Sequence, residues 1–167
     1  MQISYTLTQN LSLSLFIIMS GIMAGFFWTY TFSVNPAMLQ VSGEYYATVQ
    51  SLFNVHVRNP MFFSFFFGTG VVGVAVCLLN LPHRGHWSFW LIIGATLVYI
   101  LGVIVYTRQV NLPLNYDTES WDPKNLPAHW EAVRSQWNSA NAIRVITSGA
   151  AFVFGVLALF SRSVNQA

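Results

Sequence analysis

Charge is what this sequence has least of. Only 7% of its 167 residues are Asp, Glu, Lys or Arg, while 54% are hydrophobic and 16% aromatic; soluble domains carry about 25% charged residues. That composition excludes a soluble globular domain and implies an integral membrane protein. The seven basic and five acidic residues contain no basic run and leave a formal charge of +2, so neither nucleic acid nor a polybasic lipid anchor is indicated. Cysteine is nearly absent as well. Cys77 stands alone inside an apolar run, which rules out an intramolecular disulfide and leaves the redox compartment unmarked. No Asp, Glu or Lys falls mid-way along an apolar run, which removes the groups an ion path or proton relay would use and argues against a channel or small transporter.

What is present is apolar length. Four runs, 11–32, 61–81, 87–106 and 142–160, are each long enough to cross a hydrocarbon core of about 30 Å at about 1.5 Å per residue. They predict an all-α, integral membrane four-helix bundle forming one domain over residues 1–167. An amphipathic helix follows the first span and a polar loop-helix precedes the fourth. No Lys or Arg precedes the first run, which is longer than a signal-peptide core, so it reads as a retained helix. Gly21 and Gly25, four apart, suit close helix packing. Trp28 and Tyr30 mark an interface, and the chain is expected to leave the membrane near Asn35-Pro36. Gly68-Thr-Gly70-Val-Val-Gly73 matches the dinucleotide fingerprint literally, but no strand precedes it and no acid follows at the required distance. Helix packing explains these glycines.

Between Pro36 and Asn59 polar and apolar residues interleave, as on an amphipathic helix folded onto the bundle mouth. Gln50, Asn54 and Arg58 form its polar stripe. His56 would point nearly opposite to Arg58, so the two share a pocket only if the helix ends before Arg58. Asn59 as N-cap and Pro60 as first helical residue support a break there. A short link, Pro82 to His86, joins spans two and three, and its two histidines leave a metal site incomplete. The second polar block, Thr107 to Ala140, contains Pro113, Pro123 and Pro127, which predict an irregular loop leading into a helix. An even number of crossings places both polar blocks at one mouth. Arg84 and Arg162, on the acid-free side, orient the termini to the cytoplasm of a plasma (inner) membrane.

The polar stretch entering the last span, His129 to Arg144, is the most unusual. On a helix, Trp130, Arg134, Trp137, Asn141 and Arg144 fall within an arc of roughly 80° at about 100° per residue, so its costly polar groups face one way and call for a partner or a ligand. The mouth as a whole offers His56, His129, Arg58, Arg108, Arg134, Arg144, Asn54, Asn111, Asn115, Asn141, Trp130 and Trp137. Tryptophan faces stack on rings, Arg and Asn donors hold a phenolate or enolate oxygen, and a neutral histidine can take a proton. The plainer alternative is that the arginines pair with Asp117, Glu119, Asp122 and Glu131 and the tryptophans sit in the interface. A metal on His56, His129 and Glu131 or Glu44 is the weaker chemistry, because no HxxxH or ExxH spacing announces it. Haem ligation has no attachment motif.

The four-helix pattern, Asn59-Pro60, the VNLPLN segment from Val110 to Asn115, and WNSANAIR from Trp137 to Arg144 together resemble the anthrone oxygenase family of small membrane proteins. One departure is Ala140, where many family members carry a second aromatic before the Asn. The resemblance implies oxidation of an anthrone to an anthraquinone by O2 with no cofactor, neither metal nor flavin. On that reading His129 or His56 is the base, and Arg134, Arg144 and Asn141 stabilise the anion. Trp130 and Trp137 are stacking walls, and Asn115, Asn111, Arg58 and Asn54 contact the substrate. The expected partners are the lipid bilayer, a lipophilic aromatic small molecule, and a second copy or a larger membrane complex. The competing reading is a non-catalytic membrane subunit that helps to assemble such a complex.

Overall fold

The computed structural model describes residues 4–164; the outermost residues of the expected single domain, 1–3 and 165–167, lie outside the described residues. Among the described residues, five helices longer than three residues make up the fold: α1 (Leu7–Met38), α2 (Gly43–His56), α3 (Pro60–Leu79), α4 (Trp87–Glu119) and α5 (Trp130–Val164). All but α2 are long and apolar enough to cross a membrane. The all-α bundle expected from the apolar runs is therefore the fold, with α2 as the amphipathic helix after the first span.

Local chemistry sets the helix starts. Thr6 caps α1 in a reciprocal box, accepting from the Gln9 backbone N–H at 3.2 Å while the Gln9 side chain accepts from the Thr6 N–H at 2.8 Å, which satisfies two otherwise orphaned donors. Asn59 accepts from the Phe62 N–H at 3.0 Å with Pro60 as the first residue of α3, the break expected from Asn-Pro.

Two prolines do not break their helices, and at Pro113 the structure corrects the sequence reading. α1 runs three residues past Asn35 to Met38, and α4 continues from the apolar span through Pro113 to Glu119, where a loop was expected. Each proline is preceded by a π-helical stretch, Tyr30–Val34 before Pro36 and Thr107–Asn111 before Pro113. A proline ring clashes with the carbonyl four residues back, here Phe32 and Gln109, and lacks the N–H that carbonyl would accept. The wider turn moves that carbonyl aside, so the helix passes the proline.

The core is made of small residues and rings layered between α1, α3, α4 and α5. Leu13, Phe16, Val76, Ile92, Ala95 and Ala158 form one cluster, and Met23, Phe27, Phe66, Tyr99, Val103 and Ala151 a second. Gly73 permits a close approach of three helices: a Cβ there would lie 2.9 Å from Thr96 Oγ1 on α4 and 3.0 Å from the Phe16 ring on α1. This is the helix packing expected of the glycines in α3. Outward, α1 presents Leu7, Leu11, Leu15, Ile18 and Ile22 as exposed apolar side chains, the surface of a helix facing hydrocarbon.

One end of the bundle is closed by Arg162, which is 3% exposed. Its guanidinium donates to Ser88 Oγ at 3.0 Å, Asn80 Oδ1 at 2.8 Å, Asn10 Oδ1 at 2.7 Å and the Gln9 carbonyl at 3.2 Å, and it lies over the Tyr5 ring. Arg162 is thus a buried link joining α1, the end of α3, α4 and α5, rather than an exposed tail charge. It cannot be counted with Arg84 towards orientation. Beside it His83 packs on Tyr5, and burial together with the Arg162 charge lowers its pKa from the ordinary histidine value.

A candidate active site at the polar end of the bundle

At the other end the two polar blocks meet. α2 buries Tyr46, Ala47, Gln50 and Asn54, one face of a helix at three- and four-residue spacing. Arg134 of α5 sits between rings, 4.5 Å from the Trp130 centroid and 5.4 Å from that of Tyr46, and so docks α2 on α5 by cation–π contact. Burial pushes the Tyr46 hydroxyl up to about 12 against the opposing influence of Arg134, so this phenol stays protonated at neutral pH. Beyond the end of α2, Arg58 pairs with Glu119 and lies over Tyr116, tying α2 to the extension of α4.

Between α1, α2, α3 and α5, with Asn115 contributed by α4, these contacts leave a cavity of about 690 Å³, within the range of small-molecule sites. Its walls are largely apolar, among them Ile22, Phe26, Phe53, Phe62 and Phe65, and its polar groups include Asn54, His56, Asn115, Asn141 and Arg144 together with Trp137 and Tyr30. Gly25 lines it too, and a Cβ there would meet nothing within 4 Å. Of the Gly21/Gly25 pair, Gly21 packs against Phe152 of α5, while Gly25 leaves room in the cavity.

Three of these polar groups, Trp137, Asn141 and Arg144, are held by neighbours. Trp137 donates its indole N–H to Asn115 Oδ1 at 2.6 Å and meets the Tyr30 ring at 5.0 Å. Asn141 donates to the Phe27 carbonyl at 3.1 Å and to Thr31 Oγ1 at 2.7 Å, at the start of the π-helical stretch of α1, and accepts from Arg144 Nη2 at 2.6 Å. Arg144 is 7% exposed, lies 4.5 Å from the Phe27 centroid and 5.6 Å from that of Trp137, and keeps its Nε without a hydrogen-bond partner. Among the described residues no carboxylate pairs with it; the arginines with acidic partners are Arg58 and Arg134.

The structure thus brings together Asn54, His56, Asn115, Trp137, Asn141 and Arg144 on one cavity. α2 ends at His56, one residue short enough for His56 to reach the cavity while Arg58 turns away to Glu119. Four other sequence-predicted site residues stand apart from it. The His129 side chain is 61% exposed and faces Asp117 at 3.7 Å. Trp130 and Arg134 serve the docking of α2, and Asn111 is buried in α4 without hydrogen bonds and outside the cavity lining. The expected single stripe from Trp130 to Arg144 is divided by depth: its first turn holds α2 and its later turns face the cavity. Arg108 is exposed. Sequence reasoning passed over Tyr30, read only as an interface marker, and Gly25, read only as a packing residue. No group of three or more His, Cys, Asp and Glu side chains converges to hold a metal among the described residues.

The model of the anthrone oxygenase family matches residues 60–154, more than half of the chain. The chain belongs to this family. No curated protein and no solved structure matches it. Within this member of the anthrone oxygenase family, the matched stretch carries one half of the cavity, Asn115, Trp137, Asn141 and Arg144. The other half, Gly25, Tyr30, Asn54 and His56, comes from α1 and α2, ahead of the matched residues. The site therefore exists only where α2 folds back against the family's helices.

Proposed function

We propose that the protein is a membrane-embedded oxygenase that converts an anthrone-like, lipophilic aromatic substrate to the corresponding quinone with O2. The observation that carries this reading is Arg144, a buried cation lining an apolar-walled cavity with no acidic partner among the described residues. A buried charge without a counter-ion costs several kcal/mol, and a ligand oxyanion would supply the missing partner.

In the proposed reaction His56, at the cavity wall, takes a proton from the activated ring CH2. The enolate oxygen is held by Arg144, itself positioned by Asn141, while Trp137 and Tyr30 flank the rings. The electron-rich carbon passes one electron to O2, and the pair recombines to a carbon-bound hydroperoxide. Loss of water then leaves the carbonyl, so one oxygen atom enters the product and the other leaves as water. The apolar walls keep bulk water from the anion. On this reading the protein needs neither metal nor flavin.

The test is oxygen uptake by the purified, chelator-treated protein in lipid nanodiscs with an anthrone. Uptake no faster than in empty nanodiscs would sink the proposal, and stable co-purification with a larger membrane protein would then favour an assembly subunit. His56→Ala is expected to lower the rate by about 10²-fold or more, the usual worth of a positioned base. His129→Ala, outside the cavity, is expected to stay within about twofold of wild type, because a surface pair of this kind is worth little. A Cβ at Gly25 would meet nothing within 4 Å, so Gly25→Phe, with its ring taking up cavity space, should raise the anthrone KM steeply while the thermal midpoint barely moves. A full-rate Gly25→Phe enzyme would place the substrate elsewhere.

A further inference from the structure

The cavity and the lipid-facing side of α1 share residues. Leu15, Ile18 and Ile22 belong to the exposed apolar stripe of α1, and Phe26 extends it by one turn. Ile22, Gly25, Phe26 and Thr29, at three- and four-residue spacing, also line the cavity, so one helical face serves both. Ile22 is 48% exposed and Phe26 40%, and on α3 Met61 is 70% exposed, whereas Asn54, Trp137, Asn141 and Arg144 are buried. The exposed rim on α1 and α3 is therefore largely apolar, with His56 and Asn59 exposed at its polar corner. Ile22 precedes Trp28, the interface marker, by six residues, or about 9 Å along the helix, which places this rim at hydrocarbon depth. Helix spacing explains the gap. Farther from the polar end α1 and α3 pack tightly: a Cβ at Gly68 would lie 3.0 Å from the Met19 side chain, and one at Gly73 3.0 Å from Phe16. At Gly25 nothing lies within 4 Å of such an atom, and the two helices meet ring to ring, Phe26 with Phe62 at 5.5 Å. Towards α2 and α5 the cavity is instead bridged by Tyr30, 5.0 Å from the Trp137 ring and 5.6 Å from that of Phe53.

We propose that the cavity is entered sideways from the bilayer, between α1 and α3, and that its ligand is a membrane-dissolved ring compound whose apolar substituent stays in the hydrocarbon while the ring occupies the cavity. Taking the ring to be a quinone or its anthrone precursor rests on the oxygenase reading; the route does not. A ligand of this class exchanges lipid contacts for those of Ile22, Phe26, Met61 and Phe65, so an apolar chain on its outer edge meets no change of solvent and costs little affinity. A charged group in the same position would have to lie at hydrocarbon depth, where it is expensive. Ile22 and Met61 thereby become specificity-determining residues for the substituent on the ring.

The experiment measures how anthraquinones carrying a 2-methyl, a 2-dodecyl or a 2-sulfonate group distribute between nanodiscs containing the full chain and empty nanodiscs, separated by an affinity tag on the protein and read by quinone absorbance. Both kinds of disc hold the same lipid, so the chain's own partitioning cancels. With wild type the methyl and dodecyl compounds should be enriched to within about threefold of each other, since the chain lies among lipid tails in both discs. The sulfonate should be enriched about 10²-fold less, the cost of a charge at this depth. Ile22→Trp combined with Met61→Trp narrows the rim from both helices and should lower the dodecyl-to-methyl ratio by about tenfold. Leu15→Trp, on the same lipid-facing stripe but outside the cavity, should leave the ratio at its wild-type value. Exclusion of the dodecyl compound by wild type, or enrichment of the sulfonate equal to that of the methyl compound, overturns the sideways route. A ratio unchanged by the paired rim substitution overturns it too, and no enrichment of any of the three overturns the ligand class. Anthrone-dependent oxygen uptake with exclusion of the dodecyl quinone would leave the oxygenase reading standing and sink the route. Dodecyl enrichment that is lost on narrowing the rim, without oxygen uptake, would do the opposite.

Discussion

Arg144→Leu is expected to lower anthrone-dependent oxygen uptake by about 10²–10³-fold, the usual effect of removing a donor to a developing oxyanion, while leaving the protein as stable as wild type or more stable. The two halves of this expectation have one cause. Arg144 is buried among Phe27, Trp137 and Asn141 with no carboxylate beside it. Removing a buried ion and replacing it with a packed apolar side chain is often neutral or favourable by about 1–4 kcal/mol. The variant does leave Asn141 Oδ1 without its donor, which costs about 1–3 kcal/mol and sets the limit of any gain. A residue kept at a cost to stability, and needed for turnover, is the signature of a site rather than of a scaffold. The measurements are oxygen uptake and the thermal midpoint of the same nanodisc preparations. A large fall in midpoint with unchanged kinetics per folded molecule would make Arg144 structural.

Arg162→Leu should do the reverse. This arginine lies on the same helix, eighteen residues on, or about 27 Å at the usual rise, yet all of its bonding is internal. Its loss leaves Ser88, Asn80, Asn10 and the Gln9 carbonyl without their charged donor at one end of the bundle. Breaking a buried, fully bonded charge network costs about 3–5 kcal/mol, enough to lower the midpoint by many degrees or to prevent folding. Arg162→Lys retains charge but not the planar fork that reaches four acceptors at once, so it should recover only part of the loss. Fully folded Arg162→Leu protein, with catalysis per molecule unchanged, is compatible with the network; a midpoint within a degree or two of wild type is not. The contrast separates two arginines that composition alone treats alike.

The site was partly legible because apolar sequence makes polar residues conspicuous. Asn141, Arg144 and Trp137 could be placed on one helical face from spacing alone, and Asn59-Pro60 located the break that lets His56 reach the cavity. His129 and Arg134 were equally conspicuous and equally well spaced, but an angle around a helix axis says nothing about depth along it. At the outer turn of α5 the same face meets α2 and solvent instead of the cavity. Pro113 misled for a related reason: its cost is local, and a π-helical stretch directly before it removes the clash without ending the helix. Arg162 looked like an ordinary tail charge because its acceptors come from three other stretches of chain.

By itself the sequence determined the class of molecule, the number of crossings and the end of the bundle where chemistry is possible. These depend on sums over many residues: apolar length against bilayer thickness, and the cost of polar groups in hydrocarbon. Only the tertiary structure decided which polar residues share a cavity, which are spent on holding helices together, and which N–H groups remain unpaired. Those outcomes depend on single contacts between segments far apart in the chain, Asn141 with Phe27, Trp137 with Asn115, Gln50 with Tyr30, and a hydrogen bond of about 3 Å leaves no periodicity in a sequence from which it could be read.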